Sequence, residues 1–389
     1  MENFDHETIC ACALGRIFGY EPLYAITLVE RLGSASAVFG LGSAEADGIL
    51  GPFSKYRGAI RPEALDTAAS ELERLAGLGC RYLACTDARF PPLLRDCPDC
   101  PAGLYIRSES SPEAIFGPGP CIAVVGTRDI SPYGRQWTRK IVEACSQAPD
   151  RPVIASGLAF GVDINAHLAA LDCGLATIAV LPCGIDEVYP ASHRRIAERI
   201  ATSPGSALVT DYPPGTSPAA FTFLRRNRII AGLARSTVLV ESKIHGGGLI
   251  TCRLADSYGR EVFALPGRAD DPRSAGCNAL IRARTAEMIS DLAGLGEQLG
   301  LGRYSLRREA DLLELLDRHY GPLMNGQELD SLRKVAAAVR DNRGIALDDL
   351  ALRTGLSYGE AASLASTLEA DGFICMDLMQ RCSVNVKKS

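Results

Sequence analysis

From Cys121 onward, short apolar runs alternate with stretches of helical spacing. Cys121–Val125 (CIAVV), Val153–Ala155, Ala176–Leu181, Ala207–Val209, Thr237–Val240 and Glu261–Leu265 read as strands. Between them lie helix-patterned segments: one through Trp137, Ile141 and Val142, then Val162–Leu171, Arg194–Ile200 and Phe221–Leu233. Short strands separated by helices predict an α/β domain with a doubly wound, Rossmann-like parallel sheet over residues 121–293. In such sheets ligands sit beyond the carboxyl ends of the strands, so the residues that follow each strand are the ones to read.

The flanks have a different texture. Residues 1–85 carry Ile9, Ala13 and Ile17, then Leu65, Leu72 and Leu75, at helical spacing and broken by glycine turns. They predict a small helical module. Residues 86–120 hold Pro91, Pro92, Pro98, Pro101, Pro112, Pro118 and Pro120 and little periodicity, which predicts a linker or a covering segment that leads into the main domain. A second linker is expected over 294–325, with a short helical run through Leu312, Leu313, Leu315 and Leu316. Residues 326–389 read as helix, short strand, two helices and a terminal hairpin, the pattern of a winged-helix domain. Ser357 with Glu360 three residues on forms a capping box at the start of its third helix. That helix carries Glu360 and Glu369 and no Lys or Arg, which argues against reading a duplex groove.

Bulk properties narrow the choices. The 389 residues are 47% hydrophobic and 22% charged, an ordinary globular balance with ample core. The net charge of −5 means that a nucleic-acid partner needs a local basic patch. MENFDHETICACALG lacks the cationic start and apolar run of a signal peptide, and no apolar run reaches about 18 residues. A cytoplasmic protein without a membrane span is expected. Fourteen scattered cysteines suit a reducing compartment. Cys80, Cys85, Cys97 and Cys100 are the one metal-like group. Their first pair is C-x4-C and Cys85 ends a strand-like run, RYLAC, so neither a metal nor a cofactor is expected.

The candidate chemistry centres on residues 221–251. Arg225, Arg226 and Arg228 put three guanidinium groups around Asn227, on a helix whose Ile229, Ile230 and Leu233 form an apolar face. After the next strand come Lys243 and the triplet Gly246, Gly247 and Gly248, leading through Thr251 into another helix. Glycines at a strand-to-helix turn let backbone amides approach a phosphate, and a helix N-terminus favours negative charge. The other strands end in Gly126-Thr127-Arg128, Ser156-Gly157, Asp186 and Gly215-Thr216, a rim small enough for an extended ligand to lie close to backbone. Asp163 reads as a helix cap and His167 as a packed histidine rather than a base.

Taken in order, VGTR (125–128), SPYG (131–134), SGLAFGVD (156–163), TIAVLPCGIDEVYP (177–190), RRNRIIAGL (225–233), GGGLIT (246–251) and ALPG (264–267) resemble the DprA, or Smf, family of DNA processing proteins. The resemblance spans about 170 consecutive residues, and the order of the motifs makes it specific. It implies a non-enzymatic protein that binds single-stranded DNA, loads the RecA recombinase onto it during natural transformation, and dimerises through the doubly wound domain. It implies a SAM-like or helix-hairpin-helix-like N-terminal module and a winged-helix tail. It also implies that Arg128 and the Arg225–Arg228 segment hold phosphates, that the glycine triplet adds backbone donors, and that Phe221 stacks on a base. Thr210-Asp211 and Arg284-Thr285 depart from the family pattern.

The rival reading is a nucleotide-processing enzyme on a related sheet, such as a phosphoribohydrolase. Such enzymes follow the Gly-Gly turn and Thr with a nearby catalytic Glu. Here Thr251 is followed by Cys252-Arg253-Leu254-Ala255, with no carboxylate before Asp256. No Walker loop, H-E-x-x-H or G-x-S-x-G is present either.

Overall fold

The structure is a computed structural model that describes residues 4–19, 21–51, 54–56, 58–117, 119–292, 294–302, 313, 316–317, 319–321, 324–342, 345–376 and 380–384. The chain divides into two compact units, Met1–Leu301 and Gly302–Ser389.

The first unit opens with helices α1 (His6–Phe18), α2 (Pro22–Leu32), α3 (Ala35–Phe39), α4 (Ser43–Leu50) and α5 (Pro62–Gly77). Then follow β1 (Cys80–Ala84), α6 (Pro92–Arg95), β2 (Gly103–Arg107), α7 (Pro112–Ile115), β3 (Cys121–Val125), α8 (Pro132–Gln147), β4 (Val153–Ser156), α9 (Val162–Asp172) and β5 (Thr177–Val180). The unit ends with α10 (Arg194–Thr202), β6 (Ala207–Thr210), α11 (Ala220–Leu233), β7 (Ser236–Leu239), α12 (Gly247–Ser257), β8 (Glu261–Ala264), α13 (Ala275–Arg282), β9 (Glu287–Met288) and α14 (Leu295–Gln298).

The nine strands form one sheet in the order β1-β2-β6-β5-β4-β3-β7-β8-β9. From β6 to β9 all neighbours are parallel, while β1 and β2 add an antiparallel edge. The fold is therefore mixed α/β with a mostly parallel central sheet. Side chains alternate across each strand. Ile122 and Val124 pack on one side with Ile141, Val142 and Ala166 of α8 and α9. Ala123 and Val125 pack on the other with Ile229, Ile230 and Leu249 of α11 and α12. Both faces are covered, so the strands read as unbroken apolar runs.

The proline-rich stretch is not the linker its composition suggests. Its β2 pairs with β6, Tyr105 opposite Thr210, and with β1, Tyr82 opposite Tyr105. Pro92 and Pro112 begin short helices, where a missing N–H costs nothing. The expected linker at 294–325 also starts later. Leu295, Leu299 and Leu301 are fully buried against the α8 side of the sheet, so the first unit runs to Leu301. Residues 303–312, with the Leu312 end of the expected helical run, lie outside the described residues, as does Leu315.

Cys80 belongs to one core cluster, and Cys85 and Cys100 to another. Among the described residues no group of three or more His, Cys, Asp or Glu could hold a metal ion. No described helix is long and apolar enough to cross a membrane.

The second unit contains α15 (Gly326–Asp341), β10 (Ile345–Ala346), α16 (Leu347–Thr354), α17 (Tyr358–Ala370), β11 (Ile374–Met376) and β12 (Arg381–Val384). Its three strands form a separate antiparallel sheet around a core of Leu316, Leu332, Val335, Leu350, Leu368 and Ile374. Ser357 caps α17, and Glu360 returns the bond to the Ser357 amide at 2.9 Å. Residues 385–389, the far end of the expected hairpin, lie outside the described residues.

Candidate nucleic-acid interface

The sheet order reverses at β3, with β4 on one side and β7 on the other. A crevice opens at such a switch point, outside the carboxyl ends of the strands. Here it is a cavity of about 670 Å³.

Its first lip is the loop after β3. Thr127 donates its amide to the Glu241 carbonyl at 2.7 Å, and Val162 donates to the Thr127 carbonyl at 3.1 Å. Gly161 at φ 78° lets the start of α9 come this close, since a Cβ there would collide with that carbonyl. Arg128 is thus carried on a pinned backbone, and its guanidinium lies 4.6 Å over the Phe223 ring of α11. Tyr189 meets the same ring edge-on at 5.3 Å.

The opposite lip follows β7. Lys243, Ile244, His245 and the glycine triplet line the cavity, with Thr251 one turn into α12. Gly246 is the N-cap and offers no side-chain bond to the first turn. A Cβ at Gly247 would meet nothing within 4 Å, so this amide-rich helix start faces open space. Its partial positive charge suits an anion.

The floor holds two buried charged side chains, Arg226 and Asp163. Arg226 is only 3% exposed and donates to the Gly157 carbonyl at 2.6 Å and to the Val180 carbonyl. Burial pushes its pKa down to about 10, against the pull of Asp163. Asp163 is raised by the same burial, opposed by Arg226 and by the Ala159 amide. The arginine still stays charged at neutral pH. Gly157 has no Cβ because one would run into this guanidinium.

Of the residues singled out in the sequence, Arg128, Arg226, Asn227, Lys243, Gly246, Gly247, Gly248 and Thr251 line this one cavity. Others do not. Arg228 is buried in an ion pair with Asp211 and also donates to the Asp99 carbonyl. Three arginines within four helical residues cannot share a face, because each residue turns by about 100°. Arg225 is half-buried and is not among the residues that line the cavity. Ser156 is fully buried, its hydroxyl on the Val124 carbonyl at 2.6 Å, and Gly157 faces Arg226. The Gly215 amide donates to both Asp186 carboxylate oxygens at 3.0 Å, and Thr216 turns its hydroxyl onto the Pro213 carbonyl at 2.6 Å. Phe221 is 50% exposed outside the cavity, and Phe223 is the aromatic that lines it. The pattern Phe223, Asn227 and Ile230, at i, i+4 and i+7, carried that face in the sequence. Leu224, Ile244, His245, Pro272 and Ala275 were missed because loops and mixed faces carry no period.

The family model for DNA recombination-mediator protein A matches residues 81–300, from β1 to α14. The chain belongs to that family. Its members are DNA-binding recombination mediators rather than enzymes, and this chain has a DNA-processing role in recombination. The chain is 32% identical over 319 residues to Protein Smf of Synechocystis sp., covering 76% of this chain and 78% of that one. It is 33% identical over 344 residues to a putative DNA processing protein DprA of Mycobacterium tuberculosis, covering 83% and 82%. The X-ray structure of DprA from Streptococcus pneumoniae superposes with a TM-score of 0.58 at 30% identity, covering 66% of this chain and 86% of that one. The phosphoribohydrolase reading falls with the family. Asp256 is exposed outside the cavity, and Asp163 is buried and accepts from the Ala159 amide at 3.4 Å.

Proposed function

We propose that this cavity and its lips grip single-stranded DNA and that the protein loads the RecA recombinase onto it during natural transformation. The observation that carries the DNA reading is the convergence of Arg128, Lys243 and the uncapped start of α12 on one aromatic-lined cavity. On this reading each of the three takes one phosphate, and one base enters against Phe223. Three neutralised phosphates give a log–log salt slope of about −2, at roughly −0.7 per phosphate on single strands. One stacked base contributes on the order of 1–3 kcal/mol. Arg225 and Phe221, outside the cavity on the first turns of α11, extend the strand's track.

The test is fluorescence anisotropy with oligo(dT) in a salt series, competed by duplex. Arg128→Ala with Lys243→Ala abolishes most retention of the single strand while the fold persists. Unchanged binding by that double variant rejects the site, and equal competition by duplex rejects the preference.

RecA loading rests on the family resemblance. It is tested by whether the protein speeds RecA filament growth on oligo(dT) coated with single-strand-binding protein; no acceleration rejects it. The same resemblance supports a homodimer through the doubly wound domain, a cytoplasmic location and a SAM-like reading of α1–α5. Three helices and a three-stranded antiparallel sheet support a winged-helix reading of the second unit. With Glu360 and Glu369 on α17, this unit serves contacts other than a DNA groove. Duplex binding by an isolated 302–389 fragment at physiological salt would overturn that part.

A further inference from the structure

The two lips of the cavity are joined by one ion pair that no motif announced. Asp129, next to Arg128 on the β3 lip, accepts from the Arg273 guanidinium at 3.3 Å. Arg273 lies between Pro272 and Ala275, which line the cavity from the β8–α13 loop. Its backbone is tied to the β7 lip. The Arg273 carbonyl accepts from the Ser242 amide at 2.7 Å, and Gly276 donates to the Ser242 carbonyl at 2.8 Å. Arg273 therefore shares a rigid frame with Lys243, one residue beyond Ser242.

The pair itself is loose. It is a single N–O contact, and the side chains are 72% exposed for Asp129 and 40% for Arg273. The Arg273 Nε is buried with no hydrogen-bond partner. An exposed monodentate pair of this kind contributes little. A guanidinium finds a better match in a phosphate, which accepts two parallel bonds. Asp129 holds the place that a phosphate of the bound strand would take.

We propose that Arg273 is a phosphate-binding residue of this cavity and that Asp129 is its exchangeable internal counter-anion, latching the lips when no strand is bound. This inference rests on the single-stranded DNA reading of the site. Strand entry moves Arg273 from the carboxylate to a phosphate, and the released Asp129 is hydrated in place. The exchange weakens net affinity, because each binding event must first break the latch. A mediator that hands its strand to a recombinase gains from such a weakened grip.

The experiment compares oligo(dT) binding by wild type, Asp129→Asn, Arg273→Ala and the Asp129→Asn/Arg273→Ala double variant in a sodium chloride series. Asp129→Asn binds about fivefold tighter, the equivalent of about 1 kcal/mol. Its salt slope matches that of wild type, because Arg273 meets the same phosphate in both, whereas the slope of Arg273→Ala is shallower by about 0.7, one phosphate fewer. Arg273→Ala binds more weakly than wild type, and the double variant loses the gain. An Asp129→Asn variant no tighter than wild type overturns the proposal. So does a double variant that keeps the gain, since removal of any negative charge would then suffice. Arg128→Ala in the same series separates the two failures. If wild type and Arg128→Ala bind alike, the site reading fails too. If Arg128→Ala is weak and Asp129→Asn unchanged, the latch alone fails.

Discussion

The Arg128 guanidinium sits 4.6 Å over the Phe223 ring, so the loop after β3 and the start of α11 meet at one lip of the cavity. The contact joins a cation to an aromatic face beside open space. Phe223→Ala removes both the platform for Arg128 and the surface for a base. We expect single-strand affinity to fall by about 1–3 kcal/mol, with an unchanged urea midpoint. Arg128→Lys does not restore Arg128→Ala fully, because an ammonium lacks the flat face that stacks on the ring. Equal binding by Arg128→Lys and wild type would show that only the charge matters.

Arg226 is the opposite kind of arginine. It holds the Gly157 and Val180 carbonyls and balances buried Asp163. Arg226→Ala leaves an uncompensated buried carboxylate and two unpaired carbonyls. Leaving buried polar groups without a partner costs about 1–3 kcal/mol each. The expected outcome is a large drop in urea midpoint, with DNA binding lost through unfolding. A cooperatively folded Arg226→Ala with the wild-type midpoint would return Arg226 to the ligand.

These two arginines show what the sequence could and could not convey. Strands β3 to β8 were legible because they are buried on both faces, and such strands are short apolar runs closed by small residues. β1 and β2 were missed as sheet members. One sat at the end of a helical region, as the strand-like RYLAC, and the other lay between prolines that in fact start α6 and α7. The glycine triplet and Arg128 were found because strand ends are chemically distinctive. The directions of Arg226 and Arg228 were not, because clustering along a chain says nothing about rotation around a helix. Arg228 meets Asp211, which stands where the family pattern commonly differs, and only the fold brings the two together.

Two glycines separate a functional from a structural role. A Cβ at Gly247 meets nothing within 4 Å, whereas Gly161 has φ 78° and no room beside the Thr127 carbonyl. Gly247→Ala should fold as wild type and bind oligo(dT) more weakly, because the methyl stands where a phosphate approaches the α12 amides. Gly161→Ala should lose more than about 1 kcal/mol of stability, since its conformation is closed to a side chain. Both are read from urea unfolding and anisotropy on the same samples. Full binding by Gly247→Ala would remove the α12 start from the site.

His167 gives the fold a pH dependence of known sign. It is fully buried, with Nδ1 2.7 Å from the Thr177 hydroxyl and no partner on Nε2. Burial, then the nearby Arg226 charge, pushes its pKa down to about 3. The unfolded chain protonates this histidine near pH 6.5. Between pH 6.5 and 3 the unfolded state therefore binds the extra proton, and stability falls as pH falls. The slope from this one group approaches about 1.4 kcal/mol per pH unit and vanishes above pH 7. Asp163 and Asp211, raised by burial, act in the opposite sense in the carboxylate range. The comparison is therefore made between wild type and His167→Gln at each pH from 7.5 to 5.5, so that the carboxylate contributions common to both cancel. His167→Gln should be flatter than wild type across that window in urea midpoint. Parallel curves for the two proteins would mean that His167 takes up its proton in the folded state.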